Sequence, residues 1–139
     1  MDRIVSSPFK RAVQSATPLA RRRGLEIETD TRLVERVLSS RFLPDWLEKL
    51  QASFKDLDLR FEGGESGREA MNRIVQVADE IWKGEAKHTI MATYGNLMAL
   101  LLKHYHEDTG FEEWCKLTNP DVFLLTWLDH EVKWQRIWK

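Results

Sequence analysis

Apolar and polar positions alternate along the chain in a way that divides it into short strands and amphipathic helices. Arg3 to Ser6 holds two adjacent β-branched residues and predicts a strand. Pro8 suits the first turn of a helix capped by Ser7, and that helix is expected to reach about Arg23, where Gly24 stops it. Pro18 inside it predicts a kink or a break, because proline removes a hydrogen bond and crowds the preceding turn. Leu25 to Thr29 alternates and predicts a second strand. Between Pro44 and Leu57, the side chains of Trp46, Leu47, Leu50, Phe54 and Leu57 share one helical face. Gly63-Gly64 marks a loop, and Ser66 with Glu69 then forms the S-x-x-E pattern of a capping box. The helix it opens places Ala70, Ile74, Val77, Ala78 and Ile81 on one side and closes at Trp82 and Gly84.

Thr89 to Thr93 is continuously apolar and predicts a strand of the buried kind. Gly95 is expected to make the turn into a helix from Asn96 to Tyr105 that is apolar nearly all round, and hence buried. Phe111 to Leu117 predicts a short helix and Asn119-Pro120-Asp121 a turn. Val122 to Leu128 and Val132 to Trp138 predict two strands, joined through Asp129, His130 and Glu131 as a hairpin. Strands that alternate with helices define a three-layer α/β sandwich, with a mostly parallel sheet covered by helices on both faces. No repeat or low-complexity linker interrupts the chain, so residues 1–139 are read as a single domain.

Composition narrows the function classes. The chain is 42% hydrophobic and 31% charged, which excludes a disordered segment. A formal net charge of -1 argues against a nucleic-acid partner. The basic run Arg21-Arg22-Arg23 is expected at a solvated helix C-terminus, where cations are favoured. Cys115 is the only cysteine, so no internal disulfide forms; its thiol is read as a small, partly buried apolar group. The first residues do not read as a secretory signal, and the apolar run Leu97 to Leu102 is too short to span a membrane. A cytoplasmic protein without a membrane partner is expected. Six tryptophans are expected to fill core and interface.

The candidate chemistry lies at the strand-to-helix turns, because ligands of open α/β sheets bind outside the carboxyl ends of the strands. After the first strand comes Ser6-Ser7-Pro8-Phe9-Lys10-Arg11. The free N–H groups of a helix start attract anions, and the Arg11 fork suits a phosphate. Glu35, in Leu33-Val34-Glu35-Arg36, is a loop carboxylate able to act as general acid or base, or simply a surface Glu paired with Arg36 or Arg32. Gly63-Gly64-Glu65-Ser66-Gly67 lacks a preceding strand and a P-loop lysine, so it is read as a turn plus cap. Tyr94, in Met91-Ala92-Thr93-Tyr94-Gly95-Asn96, occupies the third strand-to-helix turn.

Together these segments resemble the histidine phosphatase superfamily, the phosphoglycerate mutase-like proteins. The resemblance is carried by Ser6-Ser7-Pro8-Phe9-Lys10-Arg11-Ala12, Leu33-Val34-Glu35-Arg36, Gly63-Gly64-Glu65-Ser66 and the stretch from Ile90 to Leu102, in the family's order. It implies phosphoryl transfer or hydrolysis on small phosphomonoesters through a phosphohistidine, with no metal and no cofactor. It implies that Arg11, beside the Ser7 helix start, grips phosphate and that Glu35 donates a proton to the leaving group. It also places Tyr94 where the family carries its second histidine.

The departures bear on activity. No Arg-His-Gly, the family's nucleophile motif, occurs in these residues, and Tyr94 replaces the other histidine. A phenol donates a hydrogen bond but carries no positive charge at neutral pH, whereas charge stabilisation dominates phosphoryl transfer. The remaining histidines are poor substitutes. His88 precedes Tyr94 by a strand's length, about 20 Å at roughly 3.3 Å per residue. His104 and His106 lie down the next helix, and His130 lies in the terminal hairpin.

The resemblance therefore predicts a domain without the family's first strand and without turnover as this chain, which still binds a small phosphorylated molecule or inorganic phosphate. The alternative is a non-catalytic binding or regulatory protein built on the same fold. In the family the first strand lies between the strands matching Thr89–Thr93 and Val122–Leu128. Three outcomes follow for those two edges: direct pairing, pairing supplied by another chain (a homo-oligomer through exposed edges), or instability.

Overall fold

The computed structural model describes residues 2–118 and 120–138. Three strands, β1 (Arg3–Ser6), β2 (Ile27–Thr29) and β3 (Thr89–Ala92), form a parallel sheet in the order β2-β1-β3. Because side chains alternate across a strand, the sheet feeds two cores. Ile4, Ile90 and Ala92 face helix α1 (Lys10–Arg23) through its Ala16 and Ala20. Val5 and Met91 point the other way. There they join the larger core, built with Leu50 and Phe54 of α2 (Trp46–Lys55), Ala70 and Ile74 of α3 (Gly67–Lys83), and Leu97 and Leu100 of α4 (Gly95–Tyr105). This is the expected parallel sheet with helices on both faces.

Several boundaries follow the predicted chemistry. Gly24 ends α1 with φ 65°, and the Leu25 N–H closes onto the Ala20 carbonyl at 2.9 Å. Ser66 and Glu69 make both halves of the capping box that opens α3. Gly63 has φ 69°, and a Cβ on Gly64 would sit 2.0 Å from the Leu38 carbonyl oxygen. These glycines let the loop pack against the preceding segment, in keeping with a turn plus cap.

Other expectations need correction. Ser7 does not cap α1: Phe9 is the N-cap, and no side chain caps the helix. Helix α1 also runs unbroken through Pro18. The stripe of Ala12, Ala16 and Ala20 is buried along it, and such packing outweighs one lost hydrogen bond. β3 is only half-buried along its length, because among the described residues it pairs with β1 alone. Gly95 is the first residue of α4 rather than a turn before it. Cys115, on α5 (Phe111–Lys116), is exposed rather than partly buried. The tryptophans fill the core only in part: Trp82 and Trp114 are half-buried and pack against it, Trp134 is half-buried, and Trp46, Trp127 and Trp138 are exposed. Part of the predicted turn at 119–121 lies outside the described residues.

The chain ends in an antiparallel hairpin, β4 (Phe123–Leu128) and β5 (Glu131–Arg136). Asp129 and His130 alone join the strands, with φ 53° and 62°, which gives the twist a two-residue hairpin requires. Leu125 packs on the main core, and the Val132 carbonyl meets His106 Nε2 at 3.0 Å. β3 and β4 do not pair with each other, so the two edges expected to face one another do not meet directly. No helix among the described residues is long and apolar enough to cross a membrane.

Candidate functional site

The carboxyl ends of β1 and β3 are locked together, since the Ser7 N–H donates to the Ala92 carbonyl at 2.9 Å. Ser6 and Ser7 are fully buried. Ser6 Oγ donates to the Ser7 carbonyl, and Ser7 Oγ accepts from the Phe9 N–H at 3.3 Å. The serines therefore shape the tight passage from strand to helix. Ser7 is spent on that turn, and Arg11, in the first turn of α1, leaves the surface with its side chain 74% exposed.

The segment after β2 is held from several sides. The Asp30 N–H donates to the Ser6 carbonyl at 2.9 Å, and the Asp30 side chain caps a short 3-10 turn at Thr31–Leu33. Arg32 is gripped by Asp30 and Glu80, whose carboxyls its hydrogen bonds hold below their ordinary range. Thr93 Oγ1 donates to the Leu33 carbonyl at 2.9 Å. Arg73, from α3, donates to the Arg32 and Val34 carbonyls at 2.6 and 3.1 Å. Its other edge meets Glu65, which also accepts the Val37 N–H at 3.3 Å. These contacts deliver Glu35 to the same end of the sheet as Arg11.

Tyr94, the N-cap of α4, completes the group. The Arg11 guanidinium lies 5.4 Å above the Tyr94 ring, within cation–π range, and 3.5 Å from Glu35 Oε2. Phe9 packs on the other aromatic neighbour position, 6.0 Å from Tyr94 at 59°. The Tyr94 hydroxyl and Asn96 Oδ1 are buried without a hydrogen-bond partner among the described residues. The site thus joins an exposed cation, the carboxylate that pairs with it and a buried phenolic hydroxyl.

The structure brings together Arg11, Glu35 and Tyr94, while Ser7 is buried in the turn that leads into α1. Glu35 pairs with Arg11 rather than with Arg36 or Arg32. Arg36 turns inward instead and donates to Ser53 Oγ at 3.0 Å. Burial pushes its guanidinium pKa down. The histidines lie elsewhere. The His88 carbonyl accepts from the Asp2 N–H at the amino end of the sheet, His106 is bound to Val132, and His104 and His130 are exposed. No group of three or more His, Cys, Asp or Glu suited to a metal occurs among the described residues. The supporting residues Thr93, Glu65 and Arg73 escaped the sequence analysis. The one available signal was the proximity of Glu65 and Arg73 to the Ser66 cap.

The chain belongs to the histidine phosphatase superfamily (branch 1), whose sequence model matches residues 1–138. No curated protein matches it in sequence. Among solved structures it is similar to a mycobacterial glucosyl-3-phosphoglycerate phosphatase in complex with inorganic phosphate, at 25% identity and a TM-score of 0.64. That match covers 96% of this chain and 73% of the other. It also resembles YhfR of Bacillus stearothermophilus, at 17% identity and a TM-score of 0.69, over 96% of this chain and 71% of that one. The α-ribazole phosphatase from Shigella flexneri gives 14% identity and a TM-score of 0.68, over 97% and 72%.

Proposed function

We propose that these 139 residues bind phosphate or a small phosphomonoester at Arg11 without the turnover of their family. The observation that carries the reading is the convergence of Arg11, Glu35 and Tyr94 at the carboxyl end of the sheet. Arg11 grips the phosphate oxygens, exchanging its 3.5 Å contact with Glu35 for the stronger charge-assisted bonds an oxyanion offers. The Ser7 turn presents the first N–H groups of α1 beneath it. Tyr94 donates its unused hydroxyl to the anion, and Glu35 stands where a leaving-group oxygen would take a proton. Among the described residues no histidine stands beside Arg11 to take the phosphoryl group, and Tyr94 supplies no positive charge, so the bound ester is retained rather than cleaved. The mycobacterial relative in complex with inorganic phosphate supports phosphate as the ligand class.

Calorimetric titration of inorganic phosphate tests the binding half. Arg11→Met is expected to weaken binding by about tenfold or more, the loss of one charge-assisted interaction. Assay against a generic aryl phosphate tests the other half. Neither the unmodified chain nor Tyr94→His is expected to turn over. Metal-independent hydrolysis by the unmodified chain refutes the silent reading, and phosphate binding indifferent to Arg11 refutes the site.

A second reading, a non-catalytic interaction domain, is favoured by the hairpin surface. Leu124, Trp127 and Leu128 are about half exposed on β4, and β3 has an unpaired edge among the described residues. Light scattering across a concentration series distinguishes it: a monomer at all concentrations counts against self-association.

A further inference from the structure

The cation at the phosphate site already has a carboxylate against it. Glu35 Oε2 lies 3.5 Å from the Arg11 guanidinium, so an anion docking on Arg11 meets a negative charge as well as a positive one. The main chain around Glu35 is fixed, which keeps that charge in place. The Val34 carbonyl accepts from Arg73 at 3.1 Å, and the Val37 N–H donates to Glu65 at 3.3 Å. Between them Arg36 is buried and tied to Ser53 Oγ at 3.0 Å. The Tyr94 ring, 5.4 Å from the guanidinium, adds no cation to offset Glu35. A site for a fully ionised phosphate gains nothing from this carboxylate, whereas a site for a phosphate that still carries a proton does.

We infer that the site takes phosphate or a phosphomonoester as its singly charged, protonated form, with the ligand P–OH donating to Glu35 while other oxygens engage Arg11. The inference rests on the phosphate site proposed above. Arg11 attracts each charge on the ligand and Glu35 repels it from a similar distance, so a second negative charge gains little. A proton on the ligand turns that repulsion into a charge-assisted hydrogen bond, because an ionised carboxylate only accepts. Both side chains face water, Arg11 at 74% and Glu35 at 54%, which keeps the preference to a modest factor. The proton comes from solvent and stays in the complex, and no bond to phosphorus is made or broken. The other charges packed around the Glu35 segment are already engaged: Arg32 with Asp30 and Glu80, Arg73 with Glu65, and Arg36 turned inward. On α1, Lys10 precedes Arg11. Histidine is the side chain that ordinarily changes charge between pH 5 and 8. His88 lies at the amino end of the sheet, His106 meets the hairpin, and His104 and His130 are exposed elsewhere. A pH dependence of binding at this site is therefore assigned to the ligand.

The test is calorimetric titration of the full chain with methyl phosphate and with sulfate, each at about pH 6 and about pH 8. A phosphomonoester loses its second proton near about pH 6, so the protonated form is abundant in the first condition and scarce in the second. Sulfate is doubly charged in both. Methyl phosphate is expected to bind about three- to tenfold more weakly at the higher pH, and sulfate to change by less than about twofold. Sulfate that binds in neither condition supports the same reading, since it has no proton to offer Glu35. Glu35→Gln keeps the size of the side chain and removes its charge, and is expected to bring the methyl phosphate difference below about twofold. Methyl phosphate bound equally well or better at the higher pH overturns the inference and leaves the anion site standing. A parallel fall for sulfate assigns the pH dependence to the protein and overturns it too. An undiminished fall in Glu35→Gln, or loss of binding in that variant, has the same consequence. Failure of methyl phosphate to bind the unmodified chain at either pH overturns the underlying site, and the inference with it.

Discussion

Arg73 reaches from α3 to donate to the main-chain carbonyl of Val34 at 3.1 Å, one residue before Glu35. The same nitrogen serves the Arg32 carbonyl at 2.6 Å, and the other edge of the guanidinium pairs with Glu65. One planar fork thus ties the Glu35 segment to two parts of α3 and its cap. Both partners of the ion pair are only 21% exposed, so its loss would leave carbonyls and a carboxylate short of donors. Arg73→Met is expected to cost about 1–3 kcal/mol in a denaturant titration. Amide hydrogen exchange at Glu35 and Val37 is expected to quicken in the same variant. Arg73→Lys should not rescue it, because an ammonium cannot span both edges. Unchanged exchange at these amides would show that the segment is held by other contacts.

Arg36 presents the opposite case. Its residue is 6% exposed, yet among the described residues only one of its three nitrogens has a partner, Ser53 Oγ at 3.0 Å. Glu65 lies near enough to favour its charge, but that carboxylate is already engaged by Arg73. A buried guanidinium so weakly compensated is a stability liability, and an apolar side chain of similar length removes it. Arg36→Met is expected to raise stability by about 1 kcal/mol, read as a higher denaturant midpoint at unchanged slope. A lower midpoint would mean that the Ser53 contact outweighs the desolvation of the charge.

These two arginines also mark how far the sequence could be read. Local chemistry was legible: Ser66 with Glu69 announced the start of α3, Gly24 announced the end of α1, and the alternation of strands and helices fixed the layer order. The grouping of Arg11, Glu35 and Tyr94 followed from the resemblance, since each stands at a strand end that the topology brings to one side. The reach of Arg73 was not legible, because a side chain that donates to distant carbonyls leaves no pattern in its own segment. Arg36 read only as an alternative partner for Glu35 for the same reason: its burial depends on where α2 packs. The Thr89–Ala92 strand read as fully buried because its composition reports its preference, while its exposure depends on which neighbours pair with it.

The base of the hairpin carries a pH-sensitive contact. Asp121 accepts from Arg136 Nε at 2.8 Å and from the Thr118 and Val122 N–H groups at 2.9 Å each. Led by the Arg136 hydrogen bond, these donors lower its pKa from 3.8 to about 2. The folded value lies below the unfolded one, so the stabilisation is present above about pH 4 and is lost as the pH falls toward 2. Asp121→Asn is expected to lower stability at neutral pH by about 1–2 kcal/mol, the loss of a charge-assisted contact. It is also expected to flatten the decline of the melting temperature between pH 4 and 2. A variant with the same acid slope as the unmodified chain would assign the acid sensitivity to other carboxylates.

Tyr94 offers the sharpest separation of stability from function. Its hydroxyl is buried and has no hydrogen-bond partner among the described residues, a cost to the folded state in the absence of an anion. Tyr94→Phe keeps the ring against Phe9 and beneath Arg11 while deleting only that oxygen. The variant is expected to be more stable than the unmodified chain by about 1 kcal/mol, since the unsatisfied group is gone. If the hydroxyl donates to bound phosphate, the same change weakens phosphate binding by about three- to tenfold, the worth of one hydrogen bond. Thermal melts with and without phosphate measure both quantities on one sample. The expected pattern is a higher melting temperature for Tyr94→Phe without phosphate and a smaller gain when phosphate is added. A loss of stability without phosphate, or an undiminished gain with it, would mean that the hydroxyl has another partner or no part in the site.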